Sequence, residues 1–213
     1  MNKTITRLSR QIHLFFWRIT GQTDNYVKLQ IASSHKTREN KTVQANIKIA
    51  LEKLYSLNTD KSIKILDAGC GDGWTMDQLR NNGYNNLWGI DVNDEKLAVA
   101  RKYGHKNVAQ SLLPDLKFAD NFFDLIFCRH VYEHLLYPQE TLKTFFRILK
   151  KSGILFLIAP KSEITAEANE AHTVKISTSN DITVLMEAVG FTVILQEEHF
   201  LEELEFWIIA QKD

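Results

Sequence analysis

The chain is short of the residues that staple or interrupt a fold. Of 213 residues, two are cysteine (Cys70, Cys128), three proline and nine glycine. Two cysteines exclude a disulfide scaffold and a cysteine-based zinc site, and they fit a reducing compartment. No stretch approaches the roughly 20 apolar residues that a membrane span needs. The most apolar early stretch, Ile12 to Ile19, is broken by His13 and Arg18. It lacks a small-residue cleavage site and does not read as a signal peptide. Net charge is missing too: Lys+Arg and Asp+Glu both number 26, so nothing attracts nucleic acid globally. Apolar residues at 44% and charged residues at 24% exclude disordered, collagen-like and coiled-coil chains. The expectation is a soluble, cytoplasmic protein of one ordinary domain with a small helical appendage.

The balanced total hides an asymmetry. Residues 1–60 carry ten basic and four acidic side chains, and the remainder carries the compensating negative surplus. Such a split marks either a surface for an anionic partner or two faces that attract each other. Ile5, Leu8, Ile12, Phe15, Phe16 and Ile19 fall on one helical stripe opposite Lys3, Arg7, Arg10 and Arg18, with Leu14 and Trp17 out of pattern. That helix packs on its own domain or lies on a partner or membrane surface. A polar stretch, Ser33 to Thr42, leads to a second helical pattern over Val43–Leu57 that stops at Asn58-Thr59-Asp60. Residues 1–60 read as a basic helical cap or lid, and 61–213 as the main domain.

From residue 62, strands and helices alternate. Strands are expected at Ile63–Leu66, Leu87–Ile90, around Val108, at Phe123–Cys128 and at Ile154–Ala159. Helices are expected over Trp74–Asn81, over Asp94–Tyr103 capped by Asn93 or Asp94, around Gln139–Lys150, and from Asn180 or Asp181 to a stop at Gly190. Two final strands, Phe191–Leu195 and Glu205–Ala210, follow each other without a helix and must pair as a hairpin. The pattern specifies an α/β fold: a doubly wound, mostly parallel seven-stranded Rossmann-like sheet with an antiparallel C-terminal hairpin.

The run Ile65-Leu66-Asp67-Ala68-Gly69-Cys70-Gly71-Asp72-Gly73 carries an apolar strand into a carboxylate and then three alternating glycines before a helix. Glycines there admit positive φ and a close approach of backbone to ligand, in the crevice at the strands' carboxyl ends. The spacing is G-x-G-x-G, not the G-x-G-x-x-G of dinucleotide sites, and Asp67 suits a cationic or amine-bearing ligand better than a pyrophosphate. A nicotinamide-dependent oxidoreductase is disfavoured on both counts. Asp91 closes the second strand in Trp88-Gly89-Ile90-Asp91-Val92, where an acid can take both hydroxyls of a ribose.

With these motifs the sequence resembles the class I S-adenosylmethionine-dependent methyltransferases. It is most similar to the branch joining a D-x-G-C-G-x-G loop to an F-D-apolar-apolar stretch that ends in V-x-E-H. The second half appears as Phe123-Asp124-Leu125-Ile126-Phe127-Cys128-Arg129-His130-Val131-Tyr132-Glu133-His134-Leu135. The resemblance spans roughly residues 62 to 212. It implies S-adenosylmethionine as cofactor and S-adenosylhomocysteine as product. Asp67, Gly69, Cys70, Gly71 and Gly73 would border the methionine part, Asp91 would bind the ribose and Val92 pack on the adenine, with Ser111, Leu112 and Arg129 completing the set. The family's acid after the third strand is absent from Ala109-Gln110-Ser111-Leu112, so Ser111 or Gln110 is left to meet the adenine amino group. Lys117 stands where the family's next motif has proline.

Methyl transfer is an in-line displacement, so the protein mainly aligns the reactants and excludes water. An alcohol or phenol must also lose a proton, to a histidine, lysine or metal-bound base. Three roles are open for the His130–His134 run. His130 or His134 is a general base; or His130, Glu133, His134 and His172 hold a divalent metal; or Glu133-His134 braces the helix beside the cofactor. The metal set resembles that of small-RNA 3′-terminal 2′-O-methyltransferases and ubiquinone-pathway O-methyltransferases, but His130 replaces a glutamate, and the metal is not favoured. The favoured acceptor is a small-molecule or glycan hydroxyl, with His130 and His134 as catalytic residues. RNA ribose 2′-O-methylation and a non-catalytic binding protein working through its N-terminal helix are the alternatives. Cys70, Cys128, Trp74 and Trp88 read as packing residues, Lys36 and Arg38 as a solvated basic loop, and Glu197, Glu198, Glu202, Glu203 and Glu205 as a solvated hairpin edge.

Overall fold

The computed structural model describes residues 26–28, 30–31, 37–57, 60–162 and 172–213. The amphipathic stripe over Ile5–Ile19, Lys36, and most of the expected lid lie outside the described residues. Among the described residues no helix is long and apolar enough to cross a membrane.

The first long helix, α1 (Lys41–Leu57), buries Ile47, Ala50, Leu51 and Leu54. Then come β1 (Ile65–Ala68), α2 (Trp74–Asn81), β2 (Leu87–Asp91), α3 (Asp94–Lys102), β3 (Val108–Gln110) and β4 (Phe123–Arg129). A short 3-10 turn, Tyr132–His134, leads to α4 (Pro138–Ile148), β5 (Leu149–Pro160), α5 (Asn180–Val189), β6 (Phe191–Phe200) and β7 (Leu204–Lys212). All seven strands form one sheet in the order β3-β2-β1-β4-β5-β7-β6. β7 is antiparallel to both β5 and β6, and every other pairing is parallel. This is the expected mixed sheet, its reversed strand inserted one place in from the edge.

Alternation along the central strands explains why both faces are apolar. Leu66, Ile126, Cys128, Leu155 and Leu157 join a core with Leu142, Phe145, Ile182 and Met186 of α4 and α5. Ile65, Leu125, Phe127, Phe156 and Ile158 face the opposite core with Leu51, Leu54, Leu79 and Leu97 of α1, α2 and α3. Asn93 caps α3 by accepting from the Lys96 backbone N–H, and Gly190 closes α5 with a φ of 112°.

Three boundaries depart from the sequence pattern. β1 runs two residues later than expected, so Asp67 lies within the strand rather than after it. β5 begins at Leu149 instead of Ile154, because the chain pairs Phe123 with Leu149 and then shifts register across Ser152 and Gly153. Ser152 has a φ of 60°, and a Cβ at Gly153 would stand 2.8 Å from the Lys150 carbonyl. The hairpin is also longer, because β6 and β7 stay paired from Phe191–Lys212 to Phe200–Leu204.

One close approach fixes the floor of the crevice. A Cβ at Gly89 would lie 2.6 Å from Cys70 Sγ and 2.8 Å from Met76 Sδ. Gly89→Ala should therefore cost about 1–3 kcal/mol through overpacking, with part recovered by adding Cys70→Ala. Urea denaturation of the wild type, the single variant and the double variant checks this. A Gly89→Ala protein as stable as wild type would contradict the packing argument.

Candidate functional site

The carboxyl ends of β1, β2 and β4 open onto one cavity of about 400 Å³. The glycine turn bends over the end of β2, with the backbone N–H groups of Gly69 and Cys70 both donating to the Ile90 carbonyl, at 2.8 and 2.9 Å. Gly69 has a φ of 86°, and a Cβ there would sit 2.2 Å from Val131 Cγ2. Gly73 also has positive φ but faces elsewhere, against His105 and Ala100, seating the start of α2 on α3. Gly73 itself is not on the cavity wall. The other residues expected at the cofactor, from Asp67 through Arg129, all lie on the cavity wall.

Asp67 is 4% exposed, and its Oδ2 has no hydrogen-bond partner among the described residues. Burial, and then the charges of Asp91 and Asp72, push its carboxyl up to about 8. An orphaned buried carboxylate is costly unless a ligand supplies the missing donor, and a cationic ammonium suits it best. Asp91 is tied into the turn: Oδ2 accepts from the Gly71 N–H and Oδ1 from the Asn93 N–H, both at 2.8 Å. Each oxygen retains lone-pair capacity for a ligand hydroxyl. Beyond β3, Ser111 lines the cavity, whereas the exposed Gln110 side chain donates to the Val92 carbonyl and stays off the wall.

Arg38 is not the solvated basic residue its surroundings in sequence suggest. Its guanidinium donates to the Asp72 carbonyl through Nε and Nη2, pairs with Asp77 Oδ2 at 2.6 Å and stacks 3.5 Å over the Tyr103 ring. Its backbone N–H donates to Asp72 Oδ2. The segment preceding α1 is thereby fastened to the glycine turn.

The histidines occupy the other half of the cavity, and they divide. His130, at the end of β4 with a φ of 52°, places Nε2 2.6 Å from Glu205 Oε1. Glu205 is 1% exposed and also accepts from Arg129 Nη2 at 2.7 Å and Trp207 Nε1 at 2.9 Å. Burial raises the Glu205 carboxyl, but the His130 hydrogen bond and the Arg129 charge outweigh that and hold it at about 2. Glu205 thus contradicts the reading of the whole acidic run as a solvated edge. It sits on the inner strand β7, opposite Pro160 of β5, and an acid inside Leu204-Glu205-Phe206-Trp207-Ile208 must find a buried partner. Arg129 therefore meets Glu205 as well as the cavity.

Glu133, in the 3-10 turn, is 1% exposed, with its carboxyl pushed up to about 8 chiefly by burial. Its carbonyl accepts from the Thr173 and Val174 N–H groups, which draws His172 beside the turn. His134 Nε2 lies 3.6 Å from Glu133 Oε1, the His134 and His172 ring centroids are 4.9 Å apart, and Tyr26 donates its hydroxyl to the His134 carbonyl. Ligand atoms of Glu133, His134 and His172 lie within 4.8 Å of one another, a grouping that can hold a divalent ion. His130 is not part of it, so the grouping has three of the four residues in the metal alternative that the sequence left open. Tyr26, Gln30, Asn46 and Lys96 also line the cavity, and no motif marked them.

Residues 66–157 match the methyltransferase domain family. A probable methyltransferase, ltbC, of Aspergillus luteorubrus is 32% identical over 64% of this chain and 52% of its own. The ubiquinone biosynthesis O-methyltransferase of Colwellia psychrerythraea is 26% identical over 68% of this chain and 59% of its own. The chain spans about half the length of the curated relatives it matches. Among solved structures, the [4+2]-cyclase SpnF aligns with a TM-score of 0.67 at 17% identity, covering 79% of this chain and 81% of that one. An S-adenosylmethionine-dependent methyltransferase of Mesorhizobium loti aligns at 0.61 and 15%, covering 71% and 91%. The fold thus defines a class, the Rossmann-like α/β proteins, with a cavity at the carboxyl ends of β1, β2 and β4. Within it, residues 66–157 carry the methyltransferase-domain similarity, and S-adenosylmethionine is the cofactor that this similarity implies. The orphaned Asp67 oxygen and the Asp91 carboxylate fit the ammonium and ribose hydroxyls of that cofactor.

Asp67 sets a testable balance between stability and binding. Its folded-state pKa is raised above the ordinary 3.8, so the neutral form favours folding below pH 4 and that contribution is lost as pH rises through 8. Asp67→Asn should melt higher than wild type at pH 8, with the difference fading towards pH 4. It should also bind S-adenosylmethionine about 10–100-fold more weakly, the scale of one charged hydrogen bond. Thermal melts and calorimetry test both parts; equal melting at pH 8 would contradict the orphaned charge.

Proposed function

We propose that this chain transfers the methyl group of S-adenosylmethionine to a hydroxyl of a small molecule or glycan. The observation that carries the proposal is that Asp67, with its orphaned Oδ2, lines the same cavity as His130 and His134. Asp67 and the turn of Gly69 and Gly71 hold the amino-acid end of the cofactor, Asp91 the ribose, and Val92 with Leu112 the base. When bound, the cofactor would supply a sulfonium methyl that the acceptor oxygen attacks, with the thioether sulfur as leaving group and a methyl ether as product. The histidine half of the cavity takes the hydroxyl proton, while Tyr26, Gln30 and Thr37 close its side and exclude water. The relatives named O-methyltransferases support oxygen as the acceptor atom.

A second reading places a divalent ion on Glu133, His134 and His172, favoured by the closeness of their ligand atoms. That ion would lower the acceptor hydroxyl's pKa. Terminal-ribose methylation of RNA is the alternative suggested by the basic segment, and it would weaken steeply with salt.

Methyl-labelled S-adenosylmethionine offered with phenols, sugars and an RNA oligonucleotide, with and without EDTA, separates these readings. The expected result is label in a phenol or sugar that survives EDTA; label only in RNA would overturn the acceptor assignment. Asp91→Ala should weaken the cofactor by about 1–3 kcal/mol through the lost charged acceptor. The fluorescence of Trp74, which lines the cavity, reports this; unchanged affinity would remove Asp91 from the ribose role.

A further inference from the structure

We infer that Glu205, carried in on the C-terminal hairpin, is the positioning residue that turns His130 into the proton acceptor of the reaction. The inference deepens the methyl-transfer reading and rests on it.

A carboxylate only accepts hydrogen bonds, so the 2.6 Å contact from Glu205 Oε1 to His130 Nε2 requires the ring proton on Nε2. The lone pair is then left on Nδ1, whose nearest acid, Glu203 Oε1, is 4.0 Å away and too far to bond it. His130 lines the cavity, so Nδ1 is the atom that an acceptor hydroxyl can reach. Glu205 itself cannot swing: Arg129 Nη2 shares Oε1, and Trp207 Nε1 holds Oε2. The His130 backbone is pinned as well, donating its N–H to the Ile158 carbonyl at 2.9 Å. Two strands, β4 and β7, thus set both ends of the pair. By contrast, Glu133 and His134 stand 3.6 Å apart, outside hydrogen-bond reach.

Charge completes the case. The groups facing His130 are Glu203, Glu205, Arg129 and His134. Arg129 opposes a positive imidazole, and the Glu205 carboxylate offsets it. In the step, the hydroxyl proton passes to Nδ1 as the oxygen's electron pair forms the new C–O bond. The S–C pair returns to sulfur, and the resulting imidazolium keeps its Nε2 proton on Glu205 until solvent takes the other.

The test is nitrogen NMR of ¹⁵N-histidine-labelled protein with S-adenosylhomocysteine, assigned by His130→Ala. The expected spectrum shows His130 protonated on Nε2 only at neutral pH, and Glu205→Gln shifts it to a tautomer mixture while calorimetric affinity for S-adenosylhomocysteine stays within about twofold of wild type. With catechol as acceptor, Glu205→Gln and His130→Ala should each lower kcat about 100-fold, at the low end for a lost general base, and the double variant no further. An Nδ1-protonated His130 in the wild type, or additive losses in the double variant, overturns the proposal, and the first is read on the wild type itself. A wild type inactive on every acceptor, with the tautomer intact, overturns the methyl-transfer reading and with it the base role, leaving only the pair's geometry.

Discussion

A buried carboxylate without a partner is the constraint around which this molecule is arranged. Asp67 sits inside the central strand of a parallel sheet, opposite Gly89 of β2 on one side and Phe127 of β4 on the other, where water cannot satisfy it. A strand end elsewhere would simply carry an apolar residue. Here the glycine turn withholds side chains from the space beside Asp67, and Gly89 keeps β2 thin enough for Cys70 to lie flat across it. The result is a cavity wall in which the Asp67 Oδ2 atom lacks a donor, and a cationic ligand can supply it.

Charge is partitioned around that cavity with different means on its two sides. At the cofactor end, Asp91 is held by backbone N–H groups of the turn, which orient the carboxylate without neutralising it. Asp72 and Asp77, by contrast, are drawn into the Arg38 clamp, so the segment before α1 and the glycine turn form one unit. At the acceptor end, Arg129 and Glu205 pair under cover, and the His130 ring is held against that pair. The antiparallel insertion of β7 makes this possible, since it carries Glu205 beside the end of β4.

Much of this was legible in the sequence, for definable reasons. The helix over Trp74–Asn81 and the hairpin from Phe191 follow from local periodicity and from glycine or asparagine stops. The turn and Asp91 follow from motif spacing, because the ends of adjacent parallel strands must meet in one crevice. What the pattern missed depends on tertiary pairing. Glu205 looks like one more acid in a charged run until the register of β7 against β5 turns it inward. Arg38 looks solvated until Asp72 and Asp77 are brought opposite it. The separation of His130 from Glu133, His134 and His172 was likewise unreadable, since adjacent positions carry no sign of which way each ring turns.

The crevice is built to be completed by a sulfonium amino-acid nucleoside. Titration calorimetry with S-adenosylmethionine, S-adenosylhomocysteine and NADH tests it most directly. Saturable binding of the two sulfur nucleosides, tightening as pH rises and Asp67 gives up its proton, with no heat from NADH, is the predicted result. NADH binding, or sulfur-nucleoside affinity that weakens over the same pH range, would contradict it.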